Sequence, residues 1–279
     1  MKIGICNEIF KNWEVEDVFE YVKKIGYEGL EIAPFTLTDD VSQLPLSEIE
    51  RIKNISKKTG IEIIGTHWLL VKPEGLSIST RDRNIREKTS QYLCKLVEFT
   101  SRIGGEIMVF GSPKQRRINE GQSYEEVKEN FKKVIFPVLK VCEENKVYLC
   151  LEPLARSETN FINKAEEAIE IIEEINHPYF KLHLDVKAMC DEEKSITEII
   201  ELGAKYLKHF HVNDKNLLGP GFGEIDYKPI IEKLKQIGYN GWLSVEVFDF
   251  SPGAEVIAEK SINYLKKFLK RRKKWIKKR

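Results

Sequence analysis

Cysteine is scarce in this chain, and its few copies are not arranged for a disulfide framework or a zinc site. The 279 residues include five cysteines, an odd number, and no two of them form a Cys-x-x-Cys pair. Most lie inside apolar segments, which indicates reduced thiols of a cytoplasmic protein. They are Cys6, Cys94, Cys142, Cys150 and Cys190.

Long hydrophobic runs are also missing. No stretch approaches the roughly 18 apolar residues that a membrane helix needs, so we expect no membrane partner. The first apolar run is short and soon meets the acidic Glu8, which is not the pattern of a secretory signal peptide. These absences favour a globular cytoplasmic protein with a full-sized core, since 42% of the residues are hydrophobic.

The net charge of +1 conceals an uneven distribution of charge. The segment 266–279 holds ten of the 45 basic residues and no acidic one, which leaves 35 basic against 44 acidic residues, a net charge of −9, in 1–265. An acidic body is a poor surface for nucleic acid, which argues against a nucleic-acid partner. We therefore divide the chain into a catalytic domain, 1–265, and a basic end of the last helix, 266–279.

The spacing of apolar residues alternates along the chain between a pattern typical of β-strands and one typical of α-helices. Eight short β-rich runs are separated by stretches in which apolar residues recur with helical spacing, as Val15, Val18, Phe19 and Val22 do. Glycines follow several of these stretches, at the position where a left-handed residue ends a helix. The predicted strands are 2–7, 29–34, 61–66, 106–110, 147–152, 181–186, 207–212 and 242–247, and the glycines are Gly26, Gly60, Gly104 and Gly238.

Eight strands that alternate with eight helical segments predict parallel pairing and right-handed crossovers. An open doubly wound sheet and a closed barrel both satisfy this pattern. The count of eight favours the closed α/β form, a (β/α)8 TIM barrel. In addition, no Gly-x-Gly-x-x-Gly turn follows the first strand, as the open nucleotide-binding fold would require. No linker interrupts the alternation, so we expect a single domain.

Four acidic or imidazole residues stand at the ends of four successive predicted strands. Glu152, Asp185, His211 and Glu246 are separated by 33, 26 and 35 residues, and one strand–helix unit of a barrel uses roughly 31. Such spacing brings the four side chains to one rim, where buried acids are costly unless they are paired or metal-bound. The set predicts one divalent metal ion, with Mn²⁺ or Mg²⁺ favoured and Co²⁺, Fe²⁺ or Zn²⁺ also compatible.

Other polar and aromatic residues follow predicted strands at the same rim. Glu31 and His67 come at the ends of strands two and three, and His67 is a candidate to contact substrate. Trp13, Trp68 and Phe248 follow strands one, three and eight. We expect these aromatic rings to form apolar walls that exclude water from a bound substrate.

These motifs resemble the xylose isomerase-like TIM barrel superfamily of sugar phosphate isomerases and epimerases, which also contains endonuclease IV. The resemblance spans nearly the whole chain and is nearest to the ketose 3-epimerases of the D-tagatose/D-psicose type. It rests on Leu-Glu-Pro at 151–153, Leu-Asp-Val-Lys-Ala-Met at 184–189, His-Phe-His-Val-Asn-Asp at 209–214, Gly-Phe-Gly-Glu-Ile-Asp-Tyr at 221–227 and Gly-Tyr-Asn-Gly-Trp-Leu-Ser-Val-Glu at 238–246.

The resemblance implies a metal-dependent sugar isomerase or epimerase and a role for each site residue. In this family a glutamate, an aspartate, a histidine and a second glutamate surround one divalent ion, and they correspond to the four strand-end residues above. The resemblance also implies that the two glutamates, here Glu152 and Glu246, move a proton through a metal-stabilised enediolate. A further family glutamate that contacts substrate corresponds to Glu158.

The chain departs from the ketose 3-epimerases at two positions that hold substrate in that family. A histidine three residues after the aspartate is Ala188 here, and an arginine six residues after the metal-binding histidine is Leu217. Both changes bear on the substrate and not on the metal. Four residues are candidates to replace the missing contacts: Lys187, Lys215, Gln115 and Arg116.

Three other interpretations are compatible with the sequence. An endonuclease IV-like apurinic-site endonuclease shares the barrel, but it uses three zinc ions and many histidines. This chain has five histidines, and Gly111 and Ala188 stand where further ligands would be expected. A sugar-acid or inosose dehydratase would use the same metal site, and a non-catalytic sugar-binding barrel would not require both glutamates. The sugar and its phosphorylation are left open, and the resemblance implies a homodimer or homotetramer.

Overall fold

The computed structural model describes residues 1–269. Within that range, eight parallel strands close into a barrel in sequence order, and the first strand pairs with the last. The prediction of a single (β/α)8 barrel is therefore confirmed. The strands are β1 (Lys2–Cys6), β2 (Gly29–Ile32), β3 (Glu62–Thr66), β4 (Ile107–Phe110), β5 (Tyr148–Leu151), β6 (Phe180–Asp185), β7 (Leu207–Val212) and β8 (Trp242–Val245).

Helices surround the barrel and connect its strands. Two of them are single turns that directly follow β4 and β6 at the carboxyl end of the barrel, where the predicted site lies. The helices of the described residues are α1 (Val15–Ile25), α2 (Leu46–Thr59), α3 (Arg83–Ile103), α4 (Pro113–Arg116), α5 (Tyr124–Asn145), α6 (Ala165–Ile175), α7 (Val186–Met189), α8 (Ile196–Gly203), α9 (Tyr227–Gln236) and α10 (Ala254–Leu269).

The predicted helix-ending glycines take the left-handed conformation that makes glycine favourable there. Gly26, Gly60 and Gly104 directly follow α1, α2 and α3, with φ angles of 96°, 77° and 99°. Gly238 lies two residues beyond α9 and has a φ of 76°. Because glycine has no Cβ, these turns reverse the chain toward the next strand without steric strain.

The barrel interior has an apolar lower part that closes it beneath the predicted site. Ile64, Ile107, Val109 and Cys150 form a buried cluster that is separate from the main core between the sheet and the helices. The indole of Trp242 packs against this cluster. Burial of these side chains removes apolar surface from water and so helps to stabilise the barrel on which the site is built.

Strand ends and predicted ligands coincide. Asp185 is the last residue of β6, Glu152 and Glu246 each follow a strand by one residue, and His211 is second to last in β7. Asp185 is also the register partner of His211 on the neighbouring strand. The predicted strand 29–34 runs two residues too far, because Pro34 already begins a short 3-10 helix.

The predicted boundary between the catalytic domain and the basic end falls inside α10, which continues to Leu269. Residues 270–279, which hold most of that basic end, lie outside the described residues. No helix of the described range combines the length and the apolar character that a membrane crossing requires.

Candidate active site

The four predicted metal ligands meet at the carboxyl end of the barrel. Glu152, Asp185, His211 and Glu246 each offer an oxygen or nitrogen atom, and these four atoms all lie within 4.8 Å of one another. All four residues are buried, with exposed fractions between 0% and 6%. The structure therefore brings together one imidazole and three carboxylates, which is a donor set for a hard or borderline divalent cation.

The electrostatics of this cluster favour a bound cation. Burial, together with repulsion from Glu246 and Asp185, raises the pKa of Glu152 well above its usual range. Burial also raises the pKa of Asp185 to about 6, against the opposing attraction of Lys187. A divalent cation among the carboxylates would relieve both the repulsion and the cost of burying charge, so the residues present fit a metal ion.

Hydrogen bonds from neighbouring residues hold two carboxylates of the cluster in place. Asn213 donates its side-chain N–H to Oδ2 of Asp185 at 2.5 Å, and the backbone N–H of Ala188 donates to Oδ1 at 2.9 Å. The indole N–H of Trp68 donates to Oε1 of Glu246 at 2.7 Å. Sequence reasoning missed Asn213 and the bond from Trp68, because both depend on loop conformations that no residue pattern specified.

His211 faces carboxylates on both sides of its ring. Its Nδ1 lies 3.0 Å from Oε2 of Glu246, and its Nε2 lies 3.2 Å from Oε2 of Glu31. Burial opposes the charge on Glu246, but His211 and His67 outweigh it and hold the pKa of Glu246 at about 2. Glu31, which was a strand-end candidate, therefore lies below the four-residue cluster rather than in it.

A cavity of about 250 Å³ opens beside the cluster. Glu152 and Glu246 line it, together with Trp68, Phe248 and Gly111. A Cβ atom at Gly111 would stand 2.4 Å from Oε2 of Glu152, so a side chain here would displace the carboxylate. Gly111 was noted in the sequence only as a place without a ligand histidine; in the structure it leaves room for Glu152.

Four of the predicted substrate-binding residues lie in or next to this cavity. Glu158, His67 and Gln115 line it. The Nζ atom of Lys187 lies 2.9 Å from Oε1 of Glu158 and 3.7 Å from the centre of the Phe248 ring. Gln115 donates to the backbone oxygen of Leu70 at 2.7 Å, and His67 Nε2 lies 2.9 Å from Oε2 of Glu8, so both side chains are anchored.

The other predicted substrate-binding residues lie away from the cavity. Arg116 is fully buried and donates to the backbone oxygen of Glu152 at 2.7 Å, so it supports the end of β5 from behind. Trp13 lines a separate, neighbouring cavity and packs against Phe10 and Tyr21. Lys215 is exposed on the loop after β7.

The comparison with protein families identifies the fold family of this site. A family model described as the xylose isomerase-like TIM barrel matches residues 19–268. The chain belongs to the xylose isomerase-like TIM barrel family. All four predicted strand-end ligands lie inside the matched range, and the resemblance deduced from the sequence motifs is confirmed.

Similar proteins in this family include several epimerases. The D-psicose 3-epimerase of Ruminiclostridium cellulolyticum is 29% identical over 259 residues, which cover 89% of this chain and 84% of that protein. A probable ketose 3-epimerase of Synechocystis is 24% identical and covers 95% of this chain and 96% of its own. Among solved structures, D-psicose 3-epimerase from Clostridium cellulolyticum with D-tagatose has a TM-score of 0.85 at 26% identity, covering 97% and 100% of the two chains.

Proposed function

We propose that this protein is a divalent-metal-dependent sugar epimerase of the ketose 3-epimerase type. The observation that carries the proposal is the convergence of Glu152, Asp185, His211 and Glu246 at one buried point beside a cavity. The similarity to D-psicose and ketose 3-epimerases over most of the chain supports a sugar as substrate. A cavity of about 250 Å³ gives a small-molecule substrate room beside these residues.

Those four residues would hold the ion, and Mn²⁺ or Mg²⁺ suits a set with three oxygen donors. When bound, such an ion polarises a carbonyl group and makes a neighbouring C–H bond more acidic. The chain provides the carboxylates that would hold the ion, and Trp68 and Phe248 line the cavity with apolar surface that would exclude water around a bound sugar. Exclusion of water strengthens every charge interaction in the site.

Glu152 and Glu246 are the groups that would move the proton. Both carboxylates line the cavity, and they come from different strands. We assign one glutamate to remove the proton next to the sugar carbonyl and the other to return a proton to the opposite face, which inverts that carbon. The hydrogen bond from Trp68 fixes the orientation of Glu246, as proton transfer at a defined carbon requires.

Substrate hydroxyl groups would meet Glu158 and Lys187. The ion pair at 2.9 Å places a hydrogen-bond acceptor beside a donor and carries no net charge, which suits a neutral open-chain ketose. Lys187 also supplies an ammonium group next to the cavity. This group could replace the histidine and the arginine that hold substrate in the ketose 3-epimerases and that are Ala188 and Leu217 here. His67 and Gln115 would add contacts from the cavity wall.

The test is a substrate screen with metal-loaded and metal-stripped protein. Ketopentoses and ketohexoses, their phosphates and inosose are incubated with Mn²⁺-loaded enzyme, and the products are identified by NMR. We expect a C3 epimer from at least one ketose, and no product after treatment with a chelator. Loss of water from inosose or a sugar acid, with no epimer from any ketose, would replace the epimerase by a dehydratase.

A further inference from the structure

A second set of potential ligands lies inside the barrel, one layer below the four-residue cluster. His183 precedes Asp185 by two residues on β6, and His209 precedes His211 by two residues on β7, so each pair faces the same side of its strand. One ring nitrogen from each of His183, His209 and His211 lies within 4.8 Å of the other two. All three histidines are fully buried.

These histidines leave nitrogen atoms without partners. Among residues 1–269, neither ring nitrogen of His183 has a hydrogen-bond partner, and Nδ1 of His209 has none. The rings of His183 and His211 nevertheless lie close, with their centres 4.2 Å apart. Buried polar atoms are nearly always paired, so the unpaired nitrogens of these histidines call for a ligand, an ion or an ordered water.

We propose that His183, His209 and His211 form a second divalent metal site, beneath the ion of the proposed reaction and selective for zinc. Imidazole nitrogens are ligands that Zn²⁺ prefers, whereas Mn²⁺ and Mg²⁺ prefer the oxygen-rich cluster above. The two sites would therefore differ in the metal they prefer, although the upper cluster also accepts Zn²⁺ when Zn²⁺ is in excess. The proposed activity requires only the upper ion, so this inference goes beyond that activity.

The ring of His211 can serve both sites. Its Nδ1 points toward Glu246 of the upper cluster, and its Nε2 points toward Glu31, which also contacts His209. Both nitrogens of the ring can bind separate ions once the ring has released its N–H proton to solvent as an imidazolate, so the upper ion does not prevent binding below. His211 would then couple the two sites through one ring.

Glu31 would supply the negative charge that a buried cation requires. Its Oε2 atom lies 2.9 Å from Nε2 of His209 and 3.2 Å from Nε2 of His211. In a tetrahedral zinc site with bonds of about 2.0–2.1 Å, neighbouring ligand atoms lie roughly 3.3 Å apart. These two separations are close to that value, so Glu31 would stand beside the ion as a counter-charge to it.

The direct test is metal analysis of the purified full-length chain. Protein stripped with a chelator is incubated with excess Zn²⁺, desalted and measured by mass spectrometry. We expect about two zinc ions per chain in the wild type and about one in His183→Leu, which removes a lower ligand at similar volume. His177→Leu, which replaces a histidine on the outer surface, should retain both ions.

Either of two results would overturn the proposal: a single ion in the wild type, or two ions in both the wild type and His183→Leu. If His183→Leu does not fold, anomalous diffraction at the zinc edge from wild-type crystals decides the question. An anomalous peak between the three imidazoles would support the lower site, and a water molecule at that position would rule it out. The counts do not depend on turnover, so a protein with two ions and no epimerase activity would contradict only the proposed function.

Discussion

The indole nitrogen of Trp68 lies 2.7 Å from Oε1 of Glu246, so a tryptophan from the loop after β3 orients a carboxylate at the end of β8. Trp68 has a φ of 54°, in the left-handed region that residues other than glycine seldom occupy. Such a conformation persists only where surrounding contacts enforce it, and here the contact is with a proposed proton-transfer group. Trp68 is therefore a positioning residue for Glu246.

Replacing Trp68 by phenylalanine should reduce turnover more than substrate binding. The change keeps an aromatic wall but removes a hydrogen bond to a charged group, which is worth about 1.5–3 kcal/mol. We expect kcat to fall roughly 10- to 100-fold with little change in KM. Trp242→Phe, at the opposite end of the barrel, is the matched control. Equal losses in the two variants would show that the indole bond to Glu246 has no specific role.

Gly111→Ala should weaken metal binding without unfolding the barrel. The new methyl group would stand 2.4 Å from Oε2 of Glu152 and push that ligand away, while Gly111 itself does not need a positive φ. We expect the Kd for Mn²⁺, measured by electron paramagnetic resonance, to rise by at least about tenfold, a loss of about 1.4 kcal/mol. Unchanged Mn²⁺ affinity would show that the methyl group does not displace the Glu152 carboxylate from the ion.

Lys187→Met should raise KM for the accepted sugar. The variant keeps a long apolar side chain over Phe248 but removes the ammonium group that lies 2.9 Å from Glu158. We expect KM to rise about tenfold, since one charge-assisted hydrogen bond is lost. Lys228→Met, an exposed position on α9, serves as the control. A normal KM in Lys187→Met would show that the Lys187 ammonium group does not contribute to substrate binding.

Addition of metal should stabilise the fold. An ion that binds only the native state contributes about 2.7 kcal/mol at a hundredfold excess over its Kd. For a chain of 279 residues, this corresponds to a rise in Tm of about 5 °C. Calorimetry of chelator-treated protein with and without Mn²⁺ measures the shift. Asp185→Asn should lose most of it, and a full shift in that variant would exclude Asp185 as a ligand.

Acid should remove the stabilisation contributed by Glu174 on α6. Hydrogen bonds from Lys128 and Lys132 on α5 lower the pKa of Glu174 to about 2. Because the folded-state pKa is depressed, the stabilisation is present above the unfolded value of about 4.5 and disappears as the pH falls toward 2. The Glu174 side chain is about one-third exposed, so we expect its ion pairs to contribute less than about 1 kcal/mol to the free energy of unfolding.

Urea unfolding at pH 6 and pH 3 measures this effect. The difference in free energy of unfolding between the wild type and Glu174→Gln should shrink at pH 3. Glu144→Gln, which alters an exposed glutamate of α5, controls for the loss of one carboxylate. A difference that stays constant between the two pH values would contradict the role of the ion pairs.

The sequence was sufficient for the barrel and for the placement of four strand-end residues at one rim. Strand and helix periods come from local side-chain chemistry, and the regular unit length places Glu152, Asp185, His211 and Glu246 on one rim. Their predicted role as metal ligands rests on the cost of isolated acids at buried strand ends. The convergence of these atoms within 4.8 Å agrees with that prediction.

Contacts that depend on depth or on loop conformation could not be read from the sequence. Glu31 ends a predicted strand as the four ligands do, yet it lies lower and pairs with His209. Arg116 was a candidate substrate contact, but the single-turn helix α4 directs it into the protein behind β5. Periodicity gives the side of a strand that a residue faces, but it does not give the height at which neighbouring strands align.

Solvent exchange tests the central claim most directly. Mn²⁺-loaded protein is incubated in D₂O with an accepted ketose, and deuterium at the carbon next to the carbonyl is followed by NMR. We predict incorporation by the wild type and at least about a hundredfold slower incorporation by Glu246→Gln, which keeps the size of the side chain but cannot accept the proton. Exchange at the wild-type rate in a folded, Mn²⁺-bound Glu246→Gln variant would contradict the account.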